Sequence, residues 1–222
     1  MLMLDLFCAA GGAAMGYARA GWTVLGVDIE PQPDYPFEFH QGDAFKVGDR
    51  LLNRWAFDAV HLSPPCQGEG GISKGNMKSL ADKHPRLIPG AREFAQASSL
   101  PYVIENVAGS DVRGDLILCG EMFGLGIIGH RKFELGRWLM LQPPHLPHRG
   151  YVRGWRHGVW RDGPYVAAYG QGGGKATVQE MQEAKGIDWT SNHLSLRDAI
   201  APAYTQFIGL ALAAHLTVEV SA

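Results

Sequence analysis

Two consecutive prolines followed by a cysteine, at the end of an apolar run, constrain this chain more than any other feature. In Phe57-Asp58-Ala59-Val60-His61-Leu62-Ser63-Pro64-Pro65-Cys66-Gln67 the run reads as a buried strand. It must stop at Ser63, because proline fixes φ and withholds the N–H that a sheet ladder needs. Cys66 is thereby held in a stiff turn at the strand's carboxyl end, the edge of an open α/β sheet where ligands bind. Free cysteines are usually small buried hydrophobes. Pro-Pro-Cys-Gln leading into a glycine-rich segment is poor core material, which favours a placed nucleophile instead. Further on, Tyr102-Val103-Ile104-Glu105-Asn106-Val107 is a second apolar run that ends in a carboxylate and an amide. A nucleophilic cysteine and a glutamate at neighbouring strand ends make a covalent acid–base site.

The chain opens on Met1-Leu2-Met3-Leu4-Asp5-Leu6-Phe7 and passes into Cys8-Ala9-Ala10-Gly11-Gly12, a first strand feeding a glycine turn. Residues 13–20 read as a helix ending at Gly21, and residues 22–27 as a strand closing on Asp28. Strand, glycine turn, helix, strand and terminal acid form the βαβ nucleotide-binding pattern, which makes Asp28 the acceptor for ribose hydroxyls. The full GxGxxG fingerprint is absent, and a Gly-Gly turn serves equally in an ordinary strand-to-helix connection. Asp43 reads equally as a carboxylate facing an adenine amine and as a turn or helix-capping acid. Helices are expected over residues 45–55, 87–99 and 177–185. A terminal helix over 203–215 is expected to run into a short strand over 216–220.

Residues 68–84 combine glycines with Lys74, Lys78 and Lys83, which suits a mobile lid over an anionic substrate as well as a plain solvated loop. Over residues 136–164 the composition changes: Arg137, Arg149, Arg153, Arg156 and Arg161 alternate with Trp138, Trp155 and Trp160, and Asp162 is the single acid. Prolines and glycines here predict no regular element. Arginine interleaved with aromatic residues grips phosphates and stacks on bases, so Arg149, Arg153, Arg156 and Arg161 are expected on nucleic acid together with Lys74 and Lys78. Arginines snorkelling over buried tryptophans are the alternative.

At 222 residues the chain is expected to be one domain with at most a small appendage. Its apolar runs fall short of a membrane span and its start lacks a secretory pattern, so a cytoplasmic protein is expected. Cys8, Cys66 and Cys119 are odd in number and show no CxxC or Cys/His ligand spacing, which argues against a disulfide framework and a zinc site; no metal is expected. The net charge of −2 does not announce a polyanion partner, but it averages over the basic stretch.

Asp5-Leu6-Phe7-Cys8-Ala9-Ala10-Gly11-Gly12, Ser63-Pro64-Pro65-Cys66-Gln67, Glu105-Asn106-Val107, His130-Arg131-Lys132-Phe133 and Ala203-Tyr204-Thr205-Gln206-Phe207 resemble, in order, motifs of the DNA cytosine-5 methyltransferases, compact phage-borne members above all. The resemblance covers nearly the whole chain. It implies a Rossmann-like class I methyltransferase fold: a mixed, mostly parallel sheet, helices on both faces and a small irregular recognition insert. The implied division is a catalytic core over residues 1–135, a basic and aromatic insert over 136–175 and a returning segment over 176–222. The implied cofactor is S-adenosylmethionine, held by Phe7, Gly11, Gly12, Asp28, Ile29, Asp43 and Pro65. The implied partner of a monomer, in a bacterial host cytoplasm if the protein is phage-encoded, is double-stranded DNA with the target base flipped out. Cys66 would be the nucleophile, Glu105 the group at N3 and Arg131 the cation at O2; Asn106 would position the cysteine loop and Gln67 the lid. The same chemistry on RNA, transfer of a related group from a modified cofactor, and a non-catalytic DNA-binding relic are the rival readings.

Three departures from the family pattern stand out. Ala9 replaces a glycine, which is tolerable if φ there is negative; Gly129 replaces an arginine; and Ile208-Gly209-Leu210-Ala211 replaces the usual Gly-Asn-Ser-Val.

Overall fold

Strand β1 (Leu2–Leu6) is almost wholly buried, as an apolar run in a parallel sheet covered on both faces must be. In the computed structural model, which describes residues 1–65, 86–168 and 176–220, it forms the middle of a sheet with β2 (Thr23–Asp28), β3 (Glu38–Gln41), β4 (Ala59–Leu62), β5 (Tyr102–Val107), β6 (Leu116–Leu118) and β7 (Arg131–Gly136). The order is β3-β2-β1-β4-β5-β7-β6; β1 to β5 pair in parallel, while β7 runs antiparallel to both its neighbours. This is the Rossmann-like class I methyltransferase architecture.

Alternate strand residues feed two cores. Leu4, Leu6, Val27, Val60, Leu62 and Ile104 pack beneath α2 (Ala44–Leu52) and α3 (Ile88–Ala97). Met3, Val24, Ala59, Val103 and Phe133 pack beneath α1 (Gly12–Arg19), α4 (Val178–Lys185), α5 (His193–Asp198) and α6 (Pro202–Val220). The helix pair α1 and α6 is close because its contact face is small. A Cβ on Gly16 would lie 2.0 Å from Thr205 Oγ1, and that hydroxyl donates to Ala13 O at 2.8 Å. The Ile208-Gly209 departure has its reason in the same seam: Trp22 Nε1 donates to Gly209 O at 3.0 Å, and a side chain at 209 would press on Tyr17.

Two expectations from sequence need correction. The β-branched stretch over residues 216–220 is not a strand; α6 continues through it, with no glycine or proline to stop it and with the Thr217 hydroxyl bonded back to Ala213 O at 2.8 Å. The insert is not devoid of regular structure either. Strands β8 (Gly154–Arg156) and β9 (Val159–Arg161) form a hairpin whose turn residues, His157 and Gly158, both have positive φ, as the two-residue turn that matches strand twist requires. Trp155 and Trp160 face each other across it at 5.7 Å between centroids. Helix α5, capped by the Asn192 side chain, has no counterpart in the sequence reading.

Candidate active site

The turn after β4 is fastened from the neighbouring strand. Buried Asn106, near the end of β5, donates from Nδ2 to Pro64 O at 2.7 Å, while its Oδ1 accepts from Val107 N at 2.9 Å. The prolines stiffen the turn and the asparagine fixes its height, so the backbone at Pro64 is set by β5 as well as by β4. Cys66, Gln67, Lys74 and Lys78 lie outside the described residues; exposed Pro65 is the last residue before them.

The pleat brings polar residues to one face. Asp5 on β1 pairs in register with His61 on β4, and Glu105 on β5 lies on the same face, with Arg131 on β7 diagonal to it. Asp5, His61 and Glu105 are buried among the residues under α1. Arg131 Nε stands 2.9 Å from Glu105 Oε1, yet the contact is not an aligned hydrogen bond, and among the described residues Oε1 receives no donor. Burial raises the Glu105 carboxyl above its usual range, against the opposing pull of Arg131, a hydrogen bond from Ser63 and the charge of Lys185. Behind it runs a buried chain: the Ser63 hydroxyl contacts His61 Nε2 at 2.8 Å, and His61 Nδ1 contacts the Tyr17 hydroxyl at 2.9 Å. Burial holds His61 neutral, its pKa pushed down to about 3. An ionised Glu105 only accepts, so the chain then donates in the order Tyr17, His61, Ser63, Glu105; a protonated Glu105 allows the reverse. Among the described residues Asp5 has no hydrogen-bond partner on either carboxylate oxygen, and burial, with the charges of Asp28 and Glu105, pushes its carboxyl well up.

At the carboxyl end of β2, Asp28 accepts from Ala9 N through Oδ2 at 2.9 Å and from Glu30 N through Oδ1 at 3.0 Å. It thus ties the first loop to the second strand with lone pairs to spare for hydroxyl donors. Ile29 beside it is 63% exposed, an apolar side chain left open at a ligand-binding edge. Half-buried Phe7 stands edge-on to Phe45. A fixed acid for hydroxyls with an open apolar side chain next to it fits an adenosyl group. Gly11, at φ 82, is a glycine because of its left-handed backbone and the nearness of Tyr35 and Pro36, and Gly12 because a Cβ would strike Ile200 O. Asp43 caps α2 by accepting from Lys46 N at 3.0 Å. The condition placed on Ala9 is not met: its φ is 44, in the left-handed region.

Two of the insert's arginines are paired with carboxylates of the core. Arg149 pairs with Glu121 at 2.7 Å, and Arg153 pairs with Glu180 of α4. Arg161 lies over the Tyr151 ring at 4.8 Å from its centroid; Arg156 falls within β8.

Gly129 and other residues outside the site expected from sequence also gather here. Gly129 has φ 48 and its carbonyl accepts from the Tyr204 hydroxyl at 2.9 Å, so backbone geometry, not only a missing cation, distinguishes this position. A cleft beside Arg131 is lined by Gly129, Ala168, Lys185 and Tyr204. Lys185 is buried, its Nζ donating to Leu196 O, Arg197 O and Ala199 O; burial pulls its pKa down to about 7. Cys119, His130, His145 and His148, drawn from three segments of the chain, converge with their ligand atoms within 4.8 Å of one another. Spacing along the chain, on which the expectation of no zinc site rested, could not reveal this cluster. Among the described residues no helix is long and apolar enough to cross a membrane.

No protein-family model matches the chain. Over 123 residues it is 32% identical to the type II methyltransferase M1.HphI of Haemophilus parahaemolyticus, a match spanning 47% of this chain and 32% of that protein. In fold it is similar to a proposed DNA modification methyltransferase encoded within an E. coli prophage, with a TM-score of 0.59 at 14% identity over 98% of this chain and 99% of the other. It is likewise similar to the S. pombe Dnmt2 methyltransferase, with a TM-score of 0.59 at 15% identity over 96% of this chain and 98% of the other. At such identities these likenesses show the fold. The sequence match reaches only 32% of the length of the methyltransferase it aligns with.

Proposed function

We propose that this chain transfers a methyl group from S-adenosylmethionine to C5 of cytosine in double-stranded DNA, acting as a monomer in the cytoplasm through a covalent bond between Cys66 and C6 of a flipped-out base. One observation carries the reading. Glu105 is a buried carboxyl, raised above its usual range by burial, whose Oε1 lies beside Arg131 without a hydrogen-bond donor among the described residues, at the strand end adjoining the fastened Pro64-Pro65 turn. That is an acid and a cation awaiting one heterocycle edge, a short turn away from a nucleophile.

Cytosine C5 is too weak a nucleophile to take a methyl group unaided. The Cys66 thiolate adds to C6, and the electrons of the C5–C6 bond are pushed toward C5 while charge builds at N3 and O2. Glu105, in its acid form, gives its proton to N3 and receives the exocyclic amine; Arg131 neutralises O2. Once C5 carries the methyl, a base removes the C5 proton, the C6–S bond breaks and N3 returns its proton to Glu105, restoring the ring, the thiolate and the acid. When bound, S-adenosylmethionine supplies the electrophilic methyl; Phe7, Asp28 and Ile29 would hold its adenosyl part. Asn106 holds the Pro64 carbonyl, two residues before Cys66 in the sequence.

The test is methyl transfer from a tritiated donor to duplex DNA and to RNA of matched sequence, followed by nucleoside analysis. Label in 5-methyl-2′-deoxycytidine is the expected result. Label confined to RNA, or on an exocyclic amine, would overturn the assignment of substrate or of target atom. DNA binding with no transfer would leave the non-catalytic reading standing in its place.

A further inference from the structure

We infer that Cys119, His130, His145 and His148 form a structural zinc site that fastens the start of the basic insert to the edge of the sheet. The four come from three places in the fold: Cys119 follows β6, His130 precedes β7, and His145 and His148 lie on the segment that leaves β7 for the insert. Their spacing is Cys-x10-His-x14-His-x2-His. His148 Nε2 is 3.6 Å from Cys119 Sγ, and His130 Nε2 is 3.0 Å from His145 Nε2. A tetrahedral zinc with bonds of about 2.3 Å to sulfur and about 2.0 Å to nitrogen places S and N about 3.5 Å apart and two nitrogens about 3.3 Å apart. The two closest contacts have the lengths of two edges of that tetrahedron. All pairs lie within 4.8 Å, so closing onto one ion needs side-chain movements on the order of 1 Å.

The grouping has little other reason to exist. Three imidazole rings stand 5.1 to 5.2 Å apart between centroids, and two of them meet nitrogen to nitrogen. As cations they would repel; as neutral rings they offer one another few donors for their converging lone pairs. A divalent cation satisfies all of them and the thiolate at once. One thiolate with three imidazoles in tetrahedral arrangement selects zinc over the hard cations, which prefer oxygen. Four protein ligands also close the coordination shell, so the ion would be structural, leaving no position for water or substrate. Cys119 is completely buried and supplies a rigid anchor, whereas His145 is exposed and comes from the irregular segment, the part that needs holding.

The full-length protein should purify with about one zinc per chain, as a closed four-ligand site requires. After zinc removal, cobalt titration should produce the visible bands of tetrahedral cobalt and a thiolate-to-cobalt charge-transfer band. Cys119→Ser should abolish the charge-transfer band. His145→Ala, at an exposed position where folding is not at stake, should weaken metal binding at least tenfold. In the wild type alone, added zinc should raise the thermal midpoint. Wild-type protein that neither retains zinc nor gives tetrahedral cobalt bands would overturn the proposal, as would His145→Ala binding zinc as tightly as wild type. Each of these readings stands whether or not the protein methylates DNA.

Discussion

Arg131 reaches diagonally across the antiparallel pair β5–β7, placing Nε 2.9 Å from Oε1 of Glu105, whose register partner is Phe133 two residues further on. The ion pair thus comes from two strands whose register is fixed by cores on both faces, and it cannot drift without shifting the sheet. Glu105→Gln keeps the shape but removes the proton, and should lower kcat by about 10²- to 10⁴-fold. Arg131→Lys, which keeps the charge but loses the planar fork, should also lower kcat, with little effect on the Kd of S-adenosylmethionine. Single-turnover kinetics and calorimetry separate the two quantities; loss of cofactor binding in either variant would contradict the division of labour.

A role for the acid form of Glu105 makes the proposed reaction sensitive to pH. Burial raises this carboxyl, and the acid form is lost as pH rises through its folded-state pKa, so activity dependent on that form falls on the alkaline side. Ser63 donates a hydrogen bond that favours the carboxylate and lowers the pKa. Ser63→Ala should therefore move the alkaline limb of kcat to higher pH. A limb that stays in place or moves to lower pH would show that the Tyr17, His61 and Ser63 chain does not bear on Glu105.

Ala9 stands where an L-residue is strained, at φ 44, with its N–H donated to Asp28. A left-handed alanine costs about 1 to 2 kcal/mol, and glycine gives back part of that gain through the unfolded chain's entropy. Ala9→Gly should stabilise the protein by about 0.5 to 1 kcal/mol, near 2 °C in thermal midpoint for a chain of this size. A lower midpoint would mean that the methyl's packing outweighs the strain.

Why some of this was legible in the sequence and some not follows from the range of the forces involved. The β1, glycine turn, α1, β2 order and Asp28 at its end are local: periodicity and a glycine with φ 82 specify them. The role of Asn106 toward the prolines and the meeting of Glu105 with Arg131 depend on strand pairing, which the family resemblance implied and the periodicity did not. Asp43 was ambiguous because a capping acid and a ligand acid look alike until a donor such as Lys46 N is in view. The 216–220 stretch misled because β-branched residues carry a strand propensity that the helix already running from Pro202 overrides. The His157-Gly158 hairpin was hidden because glycine was read as a breaker where it is the turn residue. In the Cys119 and histidine cluster only His145 and His148 are close in sequence; strand pairing and the path of the chain bring Cys119 and His130 to them.

The insert's arginines should divide into two kinds. Arg149 and Arg153 are committed to Glu121 and Glu180, so Arg149→Ala and Arg153→Ala should loosen the insert, lowering the thermal midpoint while leaving the salt slope of DNA binding nearly unchanged. Arg161, on the hairpin and over Tyr151, has no carboxylate partner among the described residues. Arg161→Ala should lower the slope of log affinity against log salt by about 0.9, the loss of one phosphate contact. Salt titrations on duplexes with varied flanks decide the matter. An unchanged slope for Arg161→Ala, or a full unit lost with Arg149→Ala, would reverse the assignment.

The central claim is a bond between Cys66 and the target base. In duplex DNA carrying 5-fluoro-2′-deoxycytidine, fluorine cannot leave as the C5 proton does, so the adduct should persist through denaturing electrophoresis. Intact mass should equal protein plus methylated oligonucleotide, and peptide mapping should place the link on Cys66. Cys66→Ala, with unaltered S-adenosylmethionine affinity, should give no adduct. An adduct of undiminished yield in Cys66→Ala, or none in a wild-type protein that methylates ordinary DNA, would contradict the account.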